Sequence, residues 1–230
     1  MTDIQYKKYE KLLITGLVFA AITVIGGELP IGWAVYPENL DSLTALILGS
    51  GNLSVAQLAC GVFFGGIGIP MQYFGYKAIS GIIGLNGNEK YCRIIDVGAA
   101  AIAFGGGTVH VLCVALMYVV SIVEYGIYSW LPPQVMEFTL FLVLPFSAVF
   151  MLFYLPMTIA MFIPVVKKKT ILPVWACMFN PIIYKAVLNI FVFIAPNRPW
   201  ANAIRMSNMG IGSLITFTGI LYIIRKQNTK

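Results

Sequence analysis

The sequence predicts an all-α, polytopic membrane bundle of six transmembrane helices with both termini in the cytoplasm. Three observations carry that prediction. The chain has 230 residues, of which 59% are hydrophobic and 10% charged, with a mean hydropathy of +0.86. A soluble domain of this size carries about 25% charge, so this chain has too little polar surface to cover a globule in water. Six stretches reach the ~20 mainly apolar residues that a helix needs to cross a bilayer. The third observation is the basic residues, which lie overwhelmingly on one side of those stretches. The same composition excludes a disordered chain, and four cysteines are too few for a disulfide scaffold.

The spans are placed at Leu12–Trp33, Ser54–Ile83, Ile94–Val123, Val135–Val165, Ile171–Ala195 and Ile204–Ile224. They are long and do not alternate, which selects helices over barrel strands. So little sequence is left over that residues 1–230 read as one transmembrane domain. With the N-terminus inside, the inner segments hold Lys7, Lys8, Lys11, Lys90, Arg93, Lys167, Lys168, Lys169, Arg225, Lys226 and Lys230. The outer segments hold only Arg198 and Arg205, and Lys77 and Lys185 fall within spans. That asymmetry is the positive-inside pattern, and an even number of spans returns the C-terminus to the inside. The net charge of +6 is therefore a topology signal, and nothing in the chain offers the basic water-exposed face that nucleic acid would need.

The first span opens like a signal peptide, with Lys7, Lys8 and Lys11 ahead of an apolar run. No small-residue cleavage site follows, and the run continues to Gly26-Gly27-Glu28, so it reads as an uncleaved span. In the second span Gln57, Gly61, Gly65, Gly68, Gln72 and Gly75 fall on one helix face, which reads as a packing seam more readily than as a ligand groove. Such faces also admit oligomerisation. The third span carries Gly105-Gly106-Gly107 close before His110, which lets a neighbour approach the backbone. On the same helix Asp96, His110 and Glu124 lie close to four turns apart and share a face. The fourth span is mostly Leu, Phe, Val and Met and reads as lipid-facing. In the fifth, Cys177, Pro181, Lys185 and Asn189 share a face, and in the sixth Arg205, Asn208, Gly212 and Thr216 do so. No internal repeat is evident.

Ionisable groups inside a bilayer cost ~2.5–3.5 kcal/mol on insertion scales and mark candidate sites. Three stand out: Glu28, His110 and Lys185. Counted from the inner ends of their spans they lie at one level to within about 3 Å. The expectation is a buried polar cavity in which Lys185 and Glu28 neutralise each other beside His110, with Gln72, Asn189 and Asn208 helping to hold a ligand. The bland alternative is a buried ion pair and a hydrogen-bonded histidine that only fix helix packing.

Most named chemistries fail on residue inventory. One histidine and no Cys-x-x-Cys rule against a zinc site, and no cofactor is implied. The same single histidine excludes a histidine-cluster desaturase and a two-histidine lipid phosphatase. No serine-protease motif or dinucleotide fingerprint is present, and Lys185 in a six-span frame fits a retinal protein poorly. Asn52-Leu53-Ser54 matches the glycosylation pattern by what reads as chance.

One resemblance can be given. Gly26-Gly27-Glu28-Leu29, Gly106-x-x-x-His110 and Asn180-Pro181 resemble an uncharacterised bacterial six-helix integral membrane protein family, in which a Gly-Asp-Leu segment ends the first helix. Here glutamate replaces the aspartate. The resemblance implies a multi-pass protein of the bacterial cytoplasmic membrane and no known activity.

The functional expectation is an integral membrane protein that binds or transports a small polar or amphipathic molecule through Glu28, His110 and Lys185. One alternative is a membrane enzyme acting on a lipid-soluble substrate, with Glu28 and His110 as acid and base. The other is an accessory or structural subunit. Whether the protein is an enzyme stays open on sequence, as do its oligomeric state and any protein partner.

Overall fold

The computed structural model describes residues 1–35, 48–122, 133–195 and 197–228. Among the described residues the regular structure is helical. Four long helices come first: α1 (Asp3–Gly32), α2 (Val55–Gly84), α3 (Glu89–Ile122) and α4 (Pro133–Val166). Two shorter ones follow, α5 (Pro181–Ile194) and α6 (Pro199–Met206), and then α7 (Asn208–Asn228). Helices α1 to α4 and α7 are long and apolar enough to cross a membrane.

The helix starts follow local chemistry. α1 begins at Asp3, well before the predicted Leu12, because Thr2 and Gln5 form a reciprocal capping box that satisfies two N-terminal amides. Ser54 and Gln57 do the same for α2. Each of α1 to α4 contains one π-helical turn, at Thr23–Glu28, Gly61–Gly65, Ile102–Gly106 and Thr139–Val143. Such turns are rare, widen the helix, and recur at functional sites.

The fifth predicted span, Ile171–Ala195, is not one helix. Val174–Phe179 is a 3₁₀ segment, the chain extends at Asn180, and α5 starts only at Pro181. Proline lacks the N–H that a continuing helix would need and pushes its predecessor out of helical geometry. Asn180 then fastens the break. Its amide donates to the Thr158 carbonyl at 2.8 Å, and its side-chain oxygen accepts from the Ile182 amide at 3.1 Å. Across the break Thr216 donates to the Phe179 carbonyl, while Gly212 lies against the Pro181 carbonyl. The predicted start of the sixth span, Ile204, falls in α6, and α7 begins after a joint at Ser207.

One core cluster joins α1, α2, α3, α4 and α7 through Leu13, Tyr76, Ile95, Met157 and Phe217, each at most 1% exposed. α4 contributes one face only: 17% of its apolar window is buried, and Phe141, Val149, Leu152 and Ile159 point outward. Contacts at one end of the bundle bring four separate segments together. Arg225 pairs with Glu10 at 2.7 Å, Gln227 donates to the Ile171 carbonyl at 2.8 Å, and Asn88 donates to the Lys169 carbonyl at 2.7 Å. At the opposite end Asn202 donates to the Ala34 carbonyl at 2.8 Å. The start of α1 and the end of α7 are thus neighbours.

Candidate functional site

The glycine face of α2 is a seam, as its spacing predicts. A Cβ at Gly68 would strike Thr23 Oγ1, and at Gly75 it would strike the Phe217 ring. A Cβ at Gly61 would meet Ile31 Cγ2 at 2.5 Å. The two amides at its ends both reach α1: Gln57 donates to the Pro30 carbonyl at 2.9 Å, and Gln72 to Thr23 Oγ1 at 3.3 Å. Close backbone approach of α1 to α2 draws Glu28 and Gln72 to one side of the seam. The glycines of α3 serve the same end. Gly106 packs on Ile69 and Phe150, and Gly107 packs on Pro70.

These approaches leave a half-open cavity of about 240 Å³ between α1, α2, α3, α4, α6 and α7. Its polar lining consists of Glu28, Gln72, His110, Cys113, Tyr154 and Ser213, and the rest is apolar, chiefly Ile69, Ile102, Phe150, Met206 and Met209. Glu28 stands in the π-helical turn that ends at it and is 8% exposed. Its Oε2 is buried and has no hydrogen-bond partner. Gly210 makes room for it, since a Cβ there would collide with that oxygen. A buried carboxylate left in this condition carries a desolvation cost that the field of Lys185, which makes no ion pair with it, offsets only in part.

His110 is held from the opposite helix. Its Nε2 lies 2.9 Å from the Gly61 carbonyl, the first residue of the α2 π-helical turn, where the wider register swings carbonyls away from the helix axis. A carbonyl only accepts, so Nε2 carries the hydrogen and Nδ1 is the acceptor of the neutral ring. Gly65 leaves the space that the ring occupies. Ser213 donates to the Met209 carbonyl at 3.1 Å, which leaves Tyr76 to donate to Ser213 Oγ at 2.7 Å. The Tyr154 hydroxyl is buried without a partner.

The sequence-predicted residues divide into two groups. Glu28, His110 and Gln72 line the one cavity; Lys185, Asn189 and Asn208 are outside its lining. The expected neutralising pair does not form. Glu28 and Lys185 are near enough to act on each other electrostatically but make no ion pair. The polar stripes of α5 and α7 meet each other instead: Asn208 donates to Asn189 at 3.3 Å, and Asn189 donates to the Lys185 carbonyl at 2.8 Å. The break at Asn180-Pro181 and the joint at Ser207 offset α5 and α7 from the positions that counting along continuous spans gives. Asp96 does not join His110 either. It pairs with Lys77 at 2.7 Å, in a groove at the Glu10–Arg225 end that also exposes Lys8, Glu89 and Arg93. Glu124 lies outside the described residues.

Sequence reasoning did not single out Tyr154, Cys113, Ser213 or the methionines of the α6–α7 joint. A signal for Tyr154 was present. Ser147, Tyr154 and Thr158 fall seven and four residues apart on an otherwise apolar span, which puts them on one face, and Tyr154 and Thr158 are both buried. Among the described residues no cluster of His, Cys, Asp and Glu could hold a metal ion, and the four cysteines are free thiols.

The model of a family of unknown function, DUF6796, matches residues 1–227. The chain belongs to that family. No curated protein and no solved structure matches it.

Proposed function

We propose that the protein is a multi-pass membrane protein that binds, and in doing so moves, a small amphipathic molecule in the cavity between Glu28 and His110. One observation carries the reading: a half-open, mostly apolar chamber within a bundle of apolar helices, lined by Glu28, whose buried Oε2 has no hydrogen-bond partner. An ionisable group kept in such a place at such cost is a ligand group by default. Packing alone does not require it, because an apolar side chain would seal the chamber at lower cost.

Six crossings with both termini cytoplasmic accompany this reading. The fifth is the 3₁₀ segment followed by α5. Six residues at ~2.0 Å and fourteen at ~1.5 Å reach about 33 Å together, the thickness of a hydrocarbon core. The contact between Glu10 and Arg225 supports an even number of crossings, and the basic segments gathered at that end support its facing the cytoplasm. The resemblance noted in the sequence points to a bacterial cytoplasmic membrane.

The test is a thermal-shift panel of small amines, acids and alcohols on the protein in lipid nanodiscs, run against Val109→Trp, which fills the chamber. A ligand that binds only the folded state raises its unfolding midpoint by mass action. At least one compound class is expected to stabilise the wild type and leave Val109→Trp unmoved. A panel that never separates the two proteins removes the reading.

A further inference from the structure

We infer that the ligand of this cavity is an organic cation, an ammonium group on a small apolar body, held by the Glu28 carboxylate. The inference rests on the cavity reading above and assigns its chemical class. Four observations converge on it. Glu28 lines the cavity, and its Oε2 is buried and unpartnered in the room that Gly210 leaves for it. No lysine or arginine lines the cavity, and Lys185 acts on Glu28 only from outside that lining, without an ion pair, so the carboxylate has no counter-charge in contact with it.

The remaining polar groups are biased the same way. His110 spends its Nε2 hydrogen on the Gly61 carbonyl, which leaves Nδ1 as an acceptor. Gln72 spends an amide hydrogen on Thr23, which leaves its side-chain oxygen with no donor. Glu28, His110 and Gln72 each present an acceptor beside the donors of Tyr154 and Cys113, and an ammonium, which is all donor, can satisfy those acceptors. An anion would meet acceptors and a carboxylate of like charge. Finally, Phe150 and Tyr154 stack with their rings 5.5 Å apart, and both line the cavity with Met206 and Met209. Aromatic faces and thioethers solvate an organic cation while burying its apolar part.

The experiment uses three probes of matched shape: phenylpropylammonium, phenylpropanol and phenylpropanoate. Each is titrated calorimetrically into the full-length protein in nanodiscs, with empty nanodiscs as the blank. The cation is expected to bind best and the carboxylate worst. Glu28→Gln is expected to weaken the cation by about ten- to a hundred-fold, the range for losing one charge-assisted contact, and to weaken phenylpropanol by much less. Equal affinity of the alcohol and the cation for the wild type overturns the cation assignment and leaves the cavity reading intact. Binding of none of the three to the wild type overturns both. Should Glu28→Gln not fold, the wild-type ranking of the three probes decides the matter unaided.

Discussion

Gly65→Ala tests the seating of His110 more sharply than any other single change. A Cβ built there collides with the Nε2 edge of the His110 ring, with Cε1 2.7 Å away and Nε2 and Cδ2 nearer still. The α2 backbone cannot recoil, because on its other side the Gly65 amide is already against Gly27, whose own Cβ would come within 2.8 Å. The ring must therefore leave its place. That breaks the bond to the Gly61 carbonyl, worth about 1 kcal/mol, and adds overpacking of about 1–3 kcal/mol. The gain in helix propensity from Gly to Ala returns about 1 kcal/mol at most. The net expectation is a loss of about 1–3 kcal/mol. In a His110→Ala background the obstacle is gone, and the same change should be neutral or stabilising, which makes the coupling between the two sites about 2 kcal/mol. The four proteins of the cycle are compared by reversible unfolding in mixed micelles, with sodium dodecyl sulfate as the denaturant and far-ultraviolet circular dichroism as the signal. If Gly65→Ala costs the same whether or not the imidazole is present, the histidine is not seated where the argument puts it.

Other expectations follow from particular contacts. Asn180→Ala removes the bond to the Thr158 carbonyl and the cap on Ile182 and should cost about 1–2 kcal/mol in the same unfolding assay, and Asn180→Asp, which keeps the cap but sets an acceptor against the Thr158 carbonyl, should cost at least as much. The Glu10–Arg225 pair has side chains 23% and 53% exposed, so a cycle of Glu10→Gln and Arg225→Met should return a coupling below about 1 kcal/mol; a value of several would mean that the end is far more tightly closed than its exposure indicates. On a cysteine-free background, Lys168→Cys and Asn228→Cys should react with a membrane-impermeant thiol reagent only from the cytoplasmic side, and Arg198→Cys only from the opposite side. Labelling of Lys168→Cys and Arg198→Cys from one side would disprove the fifth crossing.

How much was legible beforehand differs from residue to residue. The helix content and the four long N-terminal elements could be read directly, because apolar length and capping residues such as Thr2 and Ser54 act locally. The seam on α2 was legible for a similar reason: glycines at helical spacing mark one face whatever they meet. The break at Asn180-Pro181 was signalled by its proline. Its consequence was not, because losing one helical connection turns everything downstream by an angle that no spacing rule supplies. Lys185 and Asn189 were placed at the level of Glu28 by counting along an uninterrupted fifth helix, and Asn208 by counting along an uninterrupted sixth; the structure breaks the one at Asn180 and joints the other at Ser207.

Composition and charge order by themselves determined that this chain is a bundle of apolar helices with its basic segments to one side, because transfer of side chains between water and oil is additive along the chain. The identity of Glu28 and His110 as costly polar groups was likewise fixed one residue at a time. Only the tertiary structure decided that these two face one chamber, that Lys185 stands outside it, and that Tyr154 and the Met206–Met209 joint complete its wall. Those outcomes depend on helix phase, on π-helical turns and on how closely glycine lets two backbones approach. They are relations between distant segments, and they exist only once the helices are packed.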